Sequence, residues 1–154
     1  MAFAPSTPVT GGAQTGFTAP TYTIAADTPP DVNAKQYAVT ALGGTQAGVV
    51  IHSVSNPFTL TMFRPKNFKV LKPVNSQNVL PEVPFNTYKV ITRKGVLPLA
   101  GQAARGMVVT TIIELPAGSD SADPSNVRAG LSLHCGTLSA VSAGIGDTVV
   151  TGIL

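Results

Sequence analysis

At 154 residues the chain suits a single domain with one core, burying roughly two-thirds of the surface its unfolded form would expose. Charged residues are 11% of the total, with 15 Gly and 13 Pro, whereas about 25% charge is ordinary; a monomer so poor in charge would be sticky, so the composition is that of a subunit covered by other subunits. Cys135 is the only cysteine, which excludes an intrachain disulfide scaffold and fits folding in a reducing cytoplasm.

The net charge of +3 is unevenly distributed. From Arg64 to Arg105 eight cations (Arg64, Lys66, Lys69, Lys72, Lys89, Arg93, Lys94 and Arg105) face the single acid Glu82, giving that segment +7, while the remaining two cations and six acids give the rest of the chain −4. Positive charge concentrated in this way points to a polyanion, ordinarily nucleic acid, although residue types alone equally allow a solvated basic face.

In chain order, the opening MAFAPSTPVTGGAQTG has no basic stretch followed by an apolar run, so no signal peptide is expected. No window approaches the ~20 apolar residues of a membrane span, and no membrane partner is expected. Residues 1–33, rich in Ala, Thr, Pro and Gly, are expected to form an N-terminal arm or edge hairpin around TYTIA. The main sheet is expected over 34–116: a strand QYAVTAL from Gln36, a turn at Gly43-Gly44, a strand AGVVIHSV, and a strand FTLTMF from Phe58. Short links make these antiparallel meander strands.

Prolines 73, 81 and 84 interrupt the stretch from Pro65 to Phe85, which is expected to be an excursion with a short strand at Phe68–Leu71. From Thr87 to Arg93 the chain alternates, with Thr87, Lys89, Ile91 and Arg93 on one face and Tyr88, Val90 and Thr92 on the other. A loop is expected from Lys94 to Ala104, long for a hairpin connection and of the kind that carries function. Met107–Leu115 is apolar on both faces, which predicts a central strand covered on both sides.

Asp123-Pro124 starts a helix, Asp as N-cap and Pro at the first helical position. Within 125–142 the polar residues Ser125, Arg128, Ser132, Cys135, Ser139 and Ser142 form one narrow stripe, and the apolar arc opposite is wider than one sheet needs. Such a helix is touched from two directions, by its own sheet and by a partner; Val127, Leu131, His134, Leu138 and Val141 are the candidate dimer interface. The tail GIGDTVVTGIL is apolar enough to pack as a short helix or strand.

Catalysis finds little material. His52 and His134 have no carboxylate nearby in sequence, one Cys and two His fall short of a zinc set, and there is no phosphate loop or dinucleotide fingerprint. The chain is therefore expected to be no enzyme and to take no cofactor, metal or small-molecule substrate. What remains is the basic strand, whose cations, hydroxyls and apolar patches suit RNA.

The stretch Asn86–Gly95 (NTYKVITRKG), the turn Pro116–Asp120 (PAGSD) and the helix start Asp123–Arg128 (DPSNVR) together resemble the coat proteins of small single-stranded RNA bacteriophages, the levivirus-like group. The resemblance covers residues 36–154 in order of elements. It implies an α+β fold, an antiparallel meander sheet followed by C-terminal helical structure over 123–154, in an interlocked homodimer. It further implies assembly of dimers in the bacterial host cytoplasm into an icosahedral, T=3-like virion shell, with the open sheet face lining the interior against single-stranded genomic RNA. The family's Thr-x-Lys-Val pattern matches Thr87, Lys89 and Val90. With Ile91, Arg93, Arg105 and Thr111, taken to share that face, Thr87 and Lys89 are the candidate RNA contacts. An aromatic and an amide that better-known members carry on the last strand are missing, which argues against a matching operator hairpin but not against RNA packaging. The family's loop at the symmetry axes corresponds to Lys94, Gly95, Pro98, Gly101 and Gln102. A β-rich adhesin or pilus-type module and a non-capsid RNA-binding regulator are the alternative readings.

Overall fold

The structure, a computed structural model, describes residues 3–154. Six strands lie in sequence order in one antiparallel sheet: β1 (Val9–Thr10), β2 (Thr18–Asp27), β3 (Ala34–Thr45), β4 (Phe58–Phe63), β5 (Phe85–Val96) and β6 (Arg105–Pro116). Helices α1 (Ser119–Ala122), α2 (Pro124–Ala140) and α3 (Ser142–Thr151) follow. This is the expected α+β meander with C-terminal helical structure. The Asp123 carboxylate caps α2 by accepting from the Asn126 N–H, and Pro124 takes the first turn, where no amide is needed.

Several boundaries differ from the sequence expectation, each for a local reason. Gly43 and Gly44 are not a turn but lie inside β3, where Gly43 pairs with Thr21 and Thr45 with Thr18. Pro20 has no N–H for the ladder, so β2 bulges at Ala19–Pro20. Gly44, at φ +70, has room for that bulge because a Cβ there would strike the Thr18 and Ala19 carbonyls. Residues 47–54 form no strand. Along this stretch the ladder is reduced to one bond, His52 N–H to Val39 O (2.9 Å), before Ser53 and Asn56 close a turn. The His52 ring pins the connection to β4, its Nδ1 accepting from the Phe58 N–H at 3.0 Å.

The Phe68–Leu71 segment is not a strand either. Asn86 substitutes for a ladder partner, its Oδ1 accepting from the Lys69 N–H (2.8 Å) and its Nδ2 donating to the Lys69 carbonyl (3.0 Å). Lys94 and Gly95, expected in the loop, lie inside β5 just before its last residue, Val96, so the loop runs only over 97–104. β6, expected to be central and covered, is an edge strand with Met107, Val108, Val109 and Ile112 exposed.

The core of the single chain is thin. Its buried apolar residues are Ile24, Ala38, Val39 and Ala117, and neither α2 nor α3 buries any residue. The chain exposes 10489 Å², whereas a compact monomer of 15.7 kDa exposes about 7,300 Å². The excess, about 3,000 Å², is surface that a single copy leaves uncovered, and Val108, Val109, Ile112, Leu133, Val149 and Val150 are among the large apolar side chains it exposes.

Candidate nucleic-acid interface

Residues directly opposite in a ladder share a face of the sheet, so the register sorts every side chain. Lys89 sits between Phe63 and Ile112, Ile91 between Thr61 and Thr110, Arg93 between Thr59 and Val108, and Thr87 opposite Glu114. Thr87, Lys89, Ile91 and Arg93 therefore do share one face, together with Thr59, Thr61, Phe63 and Gln36. The other face carries Tyr22, Ile24, Val39, Phe58, Leu60, Thr92 and Val109, and Ser142 at the start of α3 closes over it.

The register corrects two candidates. Arg105 lies opposite Val96 and Thr111 opposite Val90, which places both on the face that carries Tyr88, Val90 and Thr92. A loop running from Lys94 to Ala104 would set Arg105 opposite Arg93, whereas its partner is Val96, three residues on, and a shift by an odd number of residues turns every side chain to the opposite face.

On the basic face, Thr87, Lys89 and Ile91 line an open cleft of about 480 Å³ with Asp31, Asn33, Phe63, Arg64 and Lys66. Lys89 is exposed. Lys66 pairs with Asp31, whose carboxyl this contact holds below the usual carboxylate range. Arg64 stacks on Phe68, 5.9 Å from the ring centroid.

Arg93 behaves differently. Its Nη1 donates to Thr61 Oγ1 (3.3 Å), Thr61 Oγ1 donates to Gln36 Oε1 (2.9 Å), and Gln36 Nε2 donates to Asp27 Oδ2 (2.7 Å). This relay crosses β5, β4, β3 and β2 with consistent donor direction. Thr61, 0% exposed, is sealed beneath it. The Gln36 amide, helped by the Thr28 N–H, holds the Asp27 carboxyl below its ordinary range.

The expected symmetry-axis residues divide. Pro98, Gly101 and Gln102 form the exposed tip of the 97–104 loop, where the Gln102 N–H closes a turn on Leu99 O (3.1 Å) and Leu97 and Leu99 point to solvent. Lys94 is instead tied down, its Nζ donating to Asn56 Oδ1 (2.7 Å) and Gly95 O (3.1 Å) and lying 5.0 Å from the Phe58 ring centroid. Burial pulls its ammonium pKa below the ordinary lysine value. Gly95 packs so closely on Asn56 that a Cβ would collide with it. Of the candidate interface positions on α2, Val127 and Leu131 are half-buried, while His134, Leu138 and Val141 are exposed; Cys135 is a free, exposed thiol.

Gln36, Asp27 and Thr61 were not among the candidates. The alternation of FTLTMF puts Thr59, Thr61 and Phe63 on one face, but which face follows only from the pairing with β5. Among the described residues no group of three or more His, Cys, Asp or Glu side chains comes together, and no helix is long and apolar enough to cross a membrane.

No protein-family model matches the chain, and no curated protein does. Among solved structures, the virus-like particle of bacteriophage ESE020 aligns at 54% identity and a TM-score of 0.96, covering 99% of this chain and 100% of that one. The virus-like particles of Beihai levi-like virus 32 and Wenzhou levi-like virus 4 align at 19% and 17% identity with TM-scores of 0.47 and 0.42. The first covers 92% of this chain and 90% of its own, the second 79% and 72%.

Proposed function

Because the chain belongs to the coat proteins of levivirus-like bacteriophages, we propose that it is the structural subunit of a virion shell, built from interlocked dimers and enclosing single-stranded RNA against the face of Lys89 and Arg93. Particle formation is the property of its 54%-identical relative. Dimers, the RNA contact and a T=3-like lattice are our reading for this chain.

The observation that carries it is the uncovered surface. An excess of about 3,000 Å² is more than one partner's share of most obligate interfaces, roughly 1,000–2,500 Å², so area remains for the contacts that close a shell. Two features locate the first contact. β6 is a twelve-residue apolar strand at an open edge, a template for pairing with another chain. α2 and α3 fully bury no residue in their own chain. A repeated symmetric contact covers both at once.

Recombinant protein from nuclease-treated lysate would be sedimented while recording absorbance at 260 and 280 nm. With no Trp and three Tyr the chain contributes little at 280 nm, so enclosed RNA dominates the spectrum. A fast, homogeneous boundary rich at 260 nm is the expected result; a slow boundary free of nucleic acid would remove the capsid reading and favour a non-capsid RNA-binding regulator or a polymerising module.

A further inference from the structure

The four-strand relay on the basic face has no evident role in holding the sheet, which is already laddered by backbone bonds on both sides of β3, β4 and β5. It does constrain one cation. A free arginine on a sheet samples many rotamers, and binding a polyanion through it costs that freedom. Arg93 instead reaches diagonally from its place opposite Thr59 to Thr61, a span open to long side chains. Thr61 can hold it there because its own hydrogen is committed to Gln36, leaving its lone pairs to accept. Gln36 is fixed in turn by Asp27 and by the Thr28 carbonyl (3.2 Å).

We infer that Thr61 and Gln36 are positioning residues for Arg93, setting its guanidinium flat across β4 so that the remaining N–H groups and one planar face take a nucleotide of single-stranded RNA by phosphate contact and stacking. The inference rests on the proposal that this face meets RNA. It divides the labour among the cations: Lys89, exposed at the cleft, is a mobile point charge for phosphate, whereas Arg93 is pre-organised and planar. The Gln36 amide holds the Asp27 carboxyl below its ordinary range, so the far end of the relay stays an acceptor further into acid.

The test is a double-mutant cycle in the full chain, dissociated from its particles and titrated with a short fluorescein-labelled single-stranded RNA of mixed sequence over a range of salt. Arg93→Ala should weaken binding and lower the slope of log K against log[salt] by about one. Thr61→Val, close to isosteric, should weaken binding about three- to tenfold with the slope unchanged, because the charge remains and only its placement is lost. In the Arg93→Ala background Thr61→Val should do nothing further. A Thr61→Val effect of equal size in both backgrounds, or none in either, would overturn the positioning role while leaving the RNA face intact. Arg93→Ala binding as tightly as the parent would instead remove that arginine from the RNA face, and the inference with it. Gln36→Leu, which spares Thr61 but removes its acceptor together with the two bonds that Gln36 Nε2 gives to Asp27 and Thr28, runs through the same cycle and decides the matter should Thr61→Val fail to fold.

Discussion

Leu133→Ala distinguishes a chain that stands alone from one that is covered. In a single chain Leu133 is 73% exposed, and truncating so exposed a side chain changes stability by no more than about 0.5 kcal/mol. Where a second chain lies over α2, the same truncation deletes buried methyl groups and leaves a cavity, which costs about 2–5 kcal/mol. With a urea dependence of about 2 kcal/mol/M, that loss moves the unfolding midpoint down by about 1–2.5 M. Unfolding that is coupled to dissociation also shifts with protein concentration, by about 1.4 kcal/mol for each tenfold dilution of a dimer. The assay is urea unfolding followed by circular dichroism at several concentrations, parent and variant side by side. A variant midpoint within about 0.3 M of the parent, with both independent of concentration, would refute the argument that α2 is an interface helix. Leu138, 41% exposed, is the weaker probe because its own chain already covers more than half of it.

Lys89→Glu together with Arg93→Glu takes the formal charge of the chain from +3 to −1; dimers should remain, and the 260 nm absorbance of purified particles should fall well below that of the parent. Gln14→Ala removes two hydrogen bonds from the β1–β2 loop to Ser142, to its carbonyl (2.9 Å) and its hydroxyl (2.8 Å), and should loosen the N-terminal end of α3 by about 1–3 kcal/mol. Faster amide hydrogen exchange over Ile145–Thr151, with α2 unchanged, is the expected readout. Asp27 and Asp31 are both held below their ordinary range, the first chiefly by the Gln36 amide and the second chiefly by Lys66. A carboxylate depressed on folding lends stability that is fully present above its unfolded value of about 3.9 and is lost as pH falls through the folded value. Denaturation midpoints should therefore fall below about pH 4, and less steeply in Asp27→Asn.

The period-two alternation of Thr87–Arg93 was enough to place four side chains on one face, because alternation is a property of a single strand. The Asp-Pro start of α2 was legible for a similar reason: a cap and the turn that it satisfies lie within three residues. The basic segment and the low overall charge point to a polyanion and to covered surface from the sequence alone, since both follow from composition. Pairing is a different kind of information. β2 was legible only as TYTIA within an arm rich in Pro and Gly, because what makes Thr18–Asp27 a strand is the length of β3 beside it. AGVVIHSV, although β-branched, stays irregular because only one of its amides reaches a ladder partner. Arg105 and Thr111 were turned to the wrong face because register between two strands depends on the length of the loop that joins them, and extending β5 through Lys94 to Val96 shortened that loop. The relay from Asp27 to Arg93 lies furthest from the sequence: its members come from four strands and meet only when all three ladders are in register. Periodicity, capping and charge can be read along the chain because each is local. Tertiary structure alone decided which faces meet, because a hydrogen bond across a sheet depends on the position of every strand between its ends.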